Sequence, residues 1–379
     1  MNKKVLHFID SEGLYGAESV ILNLSSQMLK KGEFKPIIGC IVKHRDSNND
    51  LYDAAIKLGI EAIKLPISNS LFILQLFSVT RMLKKRGVGL IHAHGYKPSV
   101  YGFLMSKLSN IQVMATCHLW FQPESGPLKM RLMIALEKKF YKYFTKIVTV
   151  SEPIKQVLVN NNINADRVSV VPNGVDVLDS TSLSSTGIRT ELHIKNSTML
   201  ILNSGRLVKQ KAQWVLIEAA KLLEAEQFDF HFIIVGEGDK RDELDKLITK
   251  YHLNERVSLL GFRSDIPNLL LASDCFALPS IDEGMPMSLL EAAAIKTPVI
   301  CTLVGDISKL IEDNESGLVI PINDPKKLAE GIIYLFENKE KSKIMAENAK
   351  LKLINKYSSE AMAKNYGLIY SQLLVSPKR

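Results

Sequence analysis

Short apolar runs separated by longer segments of helical periodicity recur along this chain, break off near residue 172 and then start afresh. Runs at 5–9, 35–42, 90–92, 113–117, 147–150 and 168–171 read as strands, with helices between them such as 18–31 and 128–143. Strand, helix, strand in repetition builds a parallel sheet with helices on both faces. A turn at Pro172-Asn173-Gly174 and a Ser/Thr-rich stretch over 178–187 follow, and that stretch has the composition of a surface loop. Strands return at 198–203, 230–235, 257–260, 275–278 and 299–302, with helices at 214–224, 240–251 and 288–295. The tail from Asp324 onward is largely helical. Two successive α/β domains are expected.

A length of 379 residues suits two such domains. With 46% hydrophobic and 23% charged residues, the chain is neither a disordered tail nor a collagen-like repeat. The four cysteines, Cys40, Cys117, Cys275 and Cys301, form no CxxC pair. That argues against a zinc site or disulfide framework and for a reducing cytoplasm. No apolar run reaches the roughly 18–20 residues of a membrane helix. The run at 5–9 is too short for the core of a signal peptide. Charge is unevenly spread: residues 1–175 carry 23 Lys and Arg against 12 Asp and Glu, a surplus of 11, whereas 176–379 carry 25 against 28. Basic residues cluster at Lys84-Lys85-Arg86 and over 129–146, where Phe140, Tyr141, Tyr143 and Phe144 interleave with Lys138, Lys139, Lys142 and Lys146. One reading is a surface for anionic lipid or another polyanion. The other is a helix with an aromatic core face and a solvated basic face. No nucleic-acid-binding module is recognisable, so nucleic acid is not an expected partner.

Ligands of open α/β sheets bind beyond the carboxyl ends of the strands, so those positions are the candidates. The first strand ends at Asp10 and feeds Ser11-Glu12-Gly13-Leu14-Tyr15-Gly16-Ala17-Glu18, a glycine-containing turn into a helix that can offer backbone N–H groups to phosphate. It is not a GxGxxG fingerprint. The strand at 198–203 runs into Ser204-Gly205-Arg206-Leu207-Val208-Lys209-Gln210-Lys211, where Arg206 and Lys211 are two cations suited to a diphosphate. The strand at 275–278 leads through Pro279-Ser280-Ile281-Asp282-Glu283-Gly284-Met285-Pro286-Met287-Ser288-Leu289-Leu290-Glu291 into a helix, whose N-terminus favours negative charge. Glu283 and Glu291 suit sugar or ribose hydroxyls, or else stabilise the first helical turns. His118 directly follows the strand at 113–117 and is either a site residue or a structural histidine at a strand end. His92 and His94 flank Ala93 as a possible metal pair, but no third ligand is evident, and no Asp-x-Asp triplet occurs to hold a divalent ion on a nucleotide diphosphate.

Together these segments resemble the retaining glycosyltransferases of family 4, in the GT-B superfamily. The similarity rests on the E-x7-E pair Glu283 and Glu291 and on Gly205-Arg206-Leu207 through Lys211. Supporting segments are 13–18, Ile91-His92-Ala93-His94, Val150-Ser151-Glu152, Val171-Pro172-Asn173-Gly174-Val175-Asp176, Gly236-Glu237-Gly238 and Pro298-Val299-Ile300. The resemblance implies two Rossmann-like domains facing each other across a cleft. The first would be an acceptor domain at 1–173, with a C-terminal helix at about 358–379 packing back onto it. The second would be a nucleotide-sugar donor domain at 174–357.

It also implies roles. Arg206 and Lys211 would neutralise the donor diphosphate, Glu291 would hold the ribose and Glu283 would face the transferred sugar. Backbone groups of Gly284, Met285, Pro286, Met287, Ser288 and Leu289 would contact sugar and phosphate. Gly16 would reach the phosphate, His118 would sit beside the reacting carbon, and Arg263 is near where the family holds the base. Two departures stand out. Lys211-Ala212 replaces the usual Lys-Gly, which a helical start should tolerate, and Lys309 stands where a glutamate is usual. The implied activity is metal-independent, retaining transfer of a hexose from a nucleotide-sugar to a hydroxyl of a glycan or lipid-linked glycan, in cell-surface polysaccharide or glycolipid synthesis. No cofactor is expected, since the donor, with a UDP-sugar as first guess, is a substrate. A cytoplasmic protein on the inner face of the membrane follows. The rivals are a sugar-nucleotide 2-epimerase, a phosphorylase of similar shape, and a non-catalytic nucleotide-binding scaffold at the membrane surface.

Overall fold

A computed structural model describes residues 3–11, 13–14, 16–44, 46–67, 72–118, 128–177 and 187–375. The chain divides into two compact units, Met1–Gly174 with Ser359–Arg379, and Val175–Ser358. Most of the Ser/Thr-rich stretch expected as a loop, 178–186, lies outside the described residues.

In chain order the first unit runs β1 (Lys4–Ile9), α1 (Gly16–Lys31), β2 (Lys35–Val42), α2 (Asp50–Lys57), β3 (Glu61–Pro66), α3 (Phe72–Lys85), β4 (Val88–His94), α4 (Tyr96–Lys107), β5 (Gln112–Cys117), α5 (Leu128–Tyr141), β6 (Lys146–Thr149), α6 (Glu152–Asn160) and β7 (Val168–Val170). The second runs α7 (Gly187–Glu191), β8 (Met199–Ser204), α8 (Trp214–Ala225), β9 (Phe230–Val235), α9 (Arg241–Lys250), β10 (Val257–Gly261), α10 (Ile266–Ala272), β11 (Cys275–Leu278), α11 (Met287–Ile295), β12 (Val299–Cys301), β13 (Leu318–Val319), α12 (Pro325–Glu337) and α13 (Lys339–Lys356). A last helix, α14 (Ser359–Val375), joins the first unit and packs on α1 and β4.

Both sheets are parallel. Their orders are β3-β2-β1-β4-β5-β6-β7 and β10-β9-β8-β11-β12-β13. Each therefore reverses direction at one point, between β1 and β4 and between β8 and β11, the crevice where Rossmann-like sheets bind ligands. Strands covered on both faces must be apolar throughout, and β9, Phe-His-Phe-Ile-Ile-Val, is buried along its whole length. Most expected strands appear within a residue or two of their sequence positions. Two were not expected. β3 carries Glu61 and Lys64 among its apolar residues because it is an edge strand, and β13 is only two residues long.

The basic cluster over 129–146 takes mostly its structural form. Tyr141 and Phe144 are fully buried and Phe140 packs against the core, which leaves Tyr143 as its exposed aromatic. Among the described residues no helix is long and apolar enough to cross a membrane.

Candidate functional site

In the second unit the site grows from the ends of β8 and β11. β8 ends at Ser204 and the chain turns through Gly205 into a 3-10 turn, Lys209–Lys211. The next strand's loop clamps this turn: Gly205 N donates to Val235 O (2.9 Å), Leu207 N to Glu237 O (2.9 Å), and Lys240 N to Leu207 O (3.0 Å). Gly236, at φ +137°, lets the two loops approach, because a Cβ there would run into the Gly205 carbonyl. The Lys211 stem then lies over Gly205. Ala212 is left-handed, at φ 48° and ψ 39°, so it does not begin a helix as the sequence led us to expect. Its position explains the glycine usual there in the family resemblance.

Beyond β11, Ile281 N donates to Gln210 O (2.8 Å), tying the two loops together. The result is a close ion pair. Lys211 Nζ lies 2.5 Å from Glu283 Oε1, with side chains only 12% and 7% exposed. Ser280 Oγ donates to the same carboxylate oxygen (2.7 Å), and Thr302 Oγ1 holds the Ser280 carbonyl (2.5 Å). Gly305, left-handed at φ +59°, presses on the backbone of Glu283 and Gly284, and Asp306 N donates to Gly284 O (2.9 Å). Met285 is buried. Pro286 caps α11, so the backbone N–H groups of Met287, Ser288 and Leu289 are left without intrahelical partners at an electropositive helix end. Glu291 lies on the second turn of α11, and burial pushes its carboxyl up to about 7.

Not every expected residue joins this group. The Arg206 guanidinium is exposed. Arg263 is committed elsewhere: it makes a two-pronged pair with Asp265 (2.9 and 2.8 Å) and a third bond to Glu191 (2.8 Å), which hold its pKa above the usual range. Lys309 pairs with the buried Asp306 (2.8 Å) and so braces the loop that supports Glu283.

In the first unit the ends of β1, β4 and β5 and the starts of α1 and α5 enclose a cavity of about 270 Å³. Asp10, Glu18, His94, His118 and Glu137 are among its lining residues, and Gly16 opens the adjoining helix α1. Asp10 is paired with Lys97, and Glu137 accepts from Tyr141 Oη (2.9 Å) while burial raises its pKa.

A third histidine was missed from sequence. Register pairs His7 with His92 across β1 and β4, and His94 lies two residues further on the same face, so the ring nitrogens of all three approach within 4.8 Å. They do not present three open lone pairs, because His92 uses Nδ1 on Tyr370 Oη and Nε2 on Thr116 Oγ1, both at 2.6 Å. Burial lowers His7 to about 3 and His118 to about 4, and lowers His92 and His94 as well.

The family model described as Glycosyltransferase Family 4 matches residues 15–177, and that described as Glycosyl transferases group 1 matches 185–352. The chain belongs to glycosyltransferase family 4. Among curated relatives, the UDP-Gal:alpha-D-GlcNAc-diphosphoundecaprenol alpha-1,3-galactosyltransferase of Escherichia coli is 28% identical over 309 residues, 79% of this chain and 80% of its own. An N-acetyl-alpha-D-glucosaminyl L-malate synthase of Bacillus anthracis is 28% identical over 51% of this chain and 50% of its own. Of solved structures, Anabaena Alr3699/HepE in complex with UDP-glucose superposes with a TM-score of 0.82 at 21% identity, over 98% of this chain and 100% of that one. A glycosyltransferase from Rickettsia africae gives 0.80 at 24%, over 99% of each. The protein is thus a glycosyltransferase with two Rossmann-like domains of the GT-B type.

Within this glycosyltransferase, Gly305 and Gly284 are adjacent in space but carry different constraints. Gly305→Ala should lower unfolding free energy by at least about 2 kcal/mol, from left-handed strain plus collision with the Glu283 carbonyl. Gly284→Ala, which meets nothing within 4 Å, should leave stability unchanged. Urea titration of the two variants checks the contrast.

Proposed function

We propose that this glycosyltransferase transfers a hexose from a nucleoside-diphosphate sugar, first of all a UDP-sugar, to a hydroxyl of a glycan or lipid-linked glycan, with retained anomeric configuration and without a metal. The observation that carries the reading is the Lys211–Glu283 pair beside the N-terminus of α11. Support comes also from the Escherichia coli relative, whose name specifies UDP-Gal and a diphosphoundecaprenol acceptor, and from the Anabaena neighbour, solved with UDP-glucose.

In the free site Lys211 and Glu283 neutralise each other. An arriving diphosphate is the stronger partner for Lys211, so the lysine exchanges carboxylate for phosphate. Glu283 is then released to accept hydrogen bonds from hydroxyls of the transferred sugar. Arg206 swings onto the same diphosphate, and the N–H groups of Met287 to Leu289 complete the anion seat. Main-chain groups of Gly284 to Pro286 and of Gly16 border sugar and phosphate, Glu291 accepts from the ribose hydroxyls, and the backbone at Arg263 meets the base. As the anomeric carbon–oxygen bond breaks, negative charge grows on the departing phosphate, where the cations and helix end stabilise it. The acceptor oxygen bonds to the anomeric carbon from the same face, and its proton passes to the leaving phosphate oxygen. His118 orients the sugar and does not act as a base.

The acceptor is proposed to arrive from the cytoplasmic face of a membrane. Helix α3 exposes Ile73, Leu74 and Phe77 beside Arg81, Lys84 and Lys85. Leu128 and Leu132 of α5 are exposed beside Lys129 and Arg131. Apolar side chains flanked by basic ones suit an anionic lipid surface.

Three measurements test this reading. Lys211→Ala should reduce turnover about 100-fold or more while the variant stays folded, with a lowered melting temperature because Glu283 is left as an unpaired buried carboxylate; full activity would remove the proposed role. Donor affinity should rise with pH as Glu291 ionises, by about tenfold between pH 6 and 8, and lose that dependence in Glu291→Gln; calorimetry with a nucleotide-sugar reads both. The sign follows from a carboxyl raised to about 7, which is mostly protonated at pH 6 and must ionise to accept fully from a diol. Flotation with anionic vesicles should succeed at low salt, weaken at high salt and be lost in Leu74→Glu/Phe77→Glu. Salt-independent absence of binding would favour a soluble acceptor.

A further inference from the structure

The histidines at the ends of β1, β4 and β5 form a directed chain. His7 Nδ1 lies 3.3 Å from His94 Nε2, and His94 Nδ1 lies 3.2 Å from His118 Nε2. A neutral imidazole has one N–H and one lone pair, so only two proton arrangements satisfy both contacts. In the first, His7 donates from Nδ1 to His94, which donates from Nδ1 to His118, and His118 keeps its own proton on Nδ1. In the second every proton is reversed, and His7 must carry its proton on Nε2.

His7 Nε2 decides between them. It is fully buried with no hydrogen-bond partner. The first arrangement leaves there a bare lone pair, and the second an orphaned N–H. Buried donors without partners are the rarer and costlier defect. His118 lines the cavity with Asp10, Glu18 and Glu137, but Lys97 neutralises Asp10, so the choice of tautomer rests on His7 Nε2.

We propose that His7 and His94 are positioning residues that fix His118 as its Nδ1–H tautomer, so that it presents a neutral hydrogen-bond donor to the cavity and has no lone pair there to act as a base. The low pKa values of the cluster keep every ring neutral and the chain intact. His92 holds the chain in place. Its ring centroid lies 4.1 Å from that of His94 with the planes tilted by 40°, and its nitrogens are anchored by Thr116 and by Tyr370 of α14, while Tyr366 Oη and Thr116 Oγ1 are 2.9 Å apart. The C-terminal helix thereby reaches the imidazole packed directly against His94. The consequence for transfer rests on the role proposed above for His118; the placement of its proton does not.

The test is a ring-nitrogen NMR spectrum of the full chain labelled with 15N-histidine. His118 should appear as a single Nδ1–H tautomer, unchanged between about pH 5.5 and 8. An Nε2–H tautomer, a titration inside that window, or stoichiometric zinc retained by the purified protein would overturn the proposal. His7→Phe should let His118 populate Nε2–H and lower kcat about tenfold with donor KM nearly unchanged. His94→Gln, which keeps an N–H to give, should preserve both the tautomer and most of kcat, whereas His94→Leu should lose them. If no nucleotide-sugar is turned over, the wild-type spectrum still decides where the proton sits, and only the transfer reading falls.

Discussion

Parallel pairing makes strands that are far apart in sequence end side by side at one edge of the sheet. His7, His92 and His94 meet because β1 and β4 are neighbours in register, although 85 residues separate the first two. Lys211 and Glu283 meet because β8 and β11 are neighbours in the other sheet. Both meetings occur where strand order reverses, so loops diverge there and leave room for a ligand. The core that enforces this edge is apolar and insensitive to the chemistry above it. Substitutions among the loop residues can therefore change donor or acceptor without disturbing the sheets.

That division explains what the sequence revealed and what it hid. β2, β9 and β11 were legible to the residue because buried parallel strands read as nearly continuous apolar runs, broken in β9 only by His231, which bonds Ser258. β3 was hidden by Glu61, exposed at the start of this edge strand, and by the half-buried Lys64, whose ammonium lies over the Tyr52 ring. Lys211, Glu283 and the α11 terminus were legible because each carries its chemistry in its residue type and follows a strand. His7 was not, since a histidine inside an apolar run has no local signal, and its meaning comes only from the neighbouring strand. At Arg263 the residue type carries no such information, since the expectation there concerned main-chain contacts with the base. A basic residue in the expected place spends its guanidinium on Asp265 and Glu191.

Ala212 shows why a departure from the usual residue was tolerated for a reason other than the expected one. A left-handed alanine costs roughly 1–2 kcal/mol against glycine. Its methyl is almost fully buried, which returns about 0.8 kcal/mol. Alanine also has less unfolded-state entropy to lose than glycine, worth roughly 0.4–1 kcal/mol. The terms nearly cancel. Gly305 and Gly236 have no such compensation, because a Cβ at either meets backbone carbonyls that cannot retreat without moving Glu283 or Gly205.

The two domains manage charge in opposite ways. In the second, Glu283 keeps Lys211 from being an unpaired buried cation; in the proposed function a phosphate replaces that carboxylate, so binding would exchange one ion pair for another without desolvating a bare charge. In the first, burial disfavours charge on the histidines, and hydrogen bonds and ring packing order them. A neutral donor held in one tautomer keeps its strength across the pH range in which Glu291 ionises. Under the proposed function, a fall in donor affinity toward acid therefore traces to Glu291 of the second domain and not to the imidazole chain of the first.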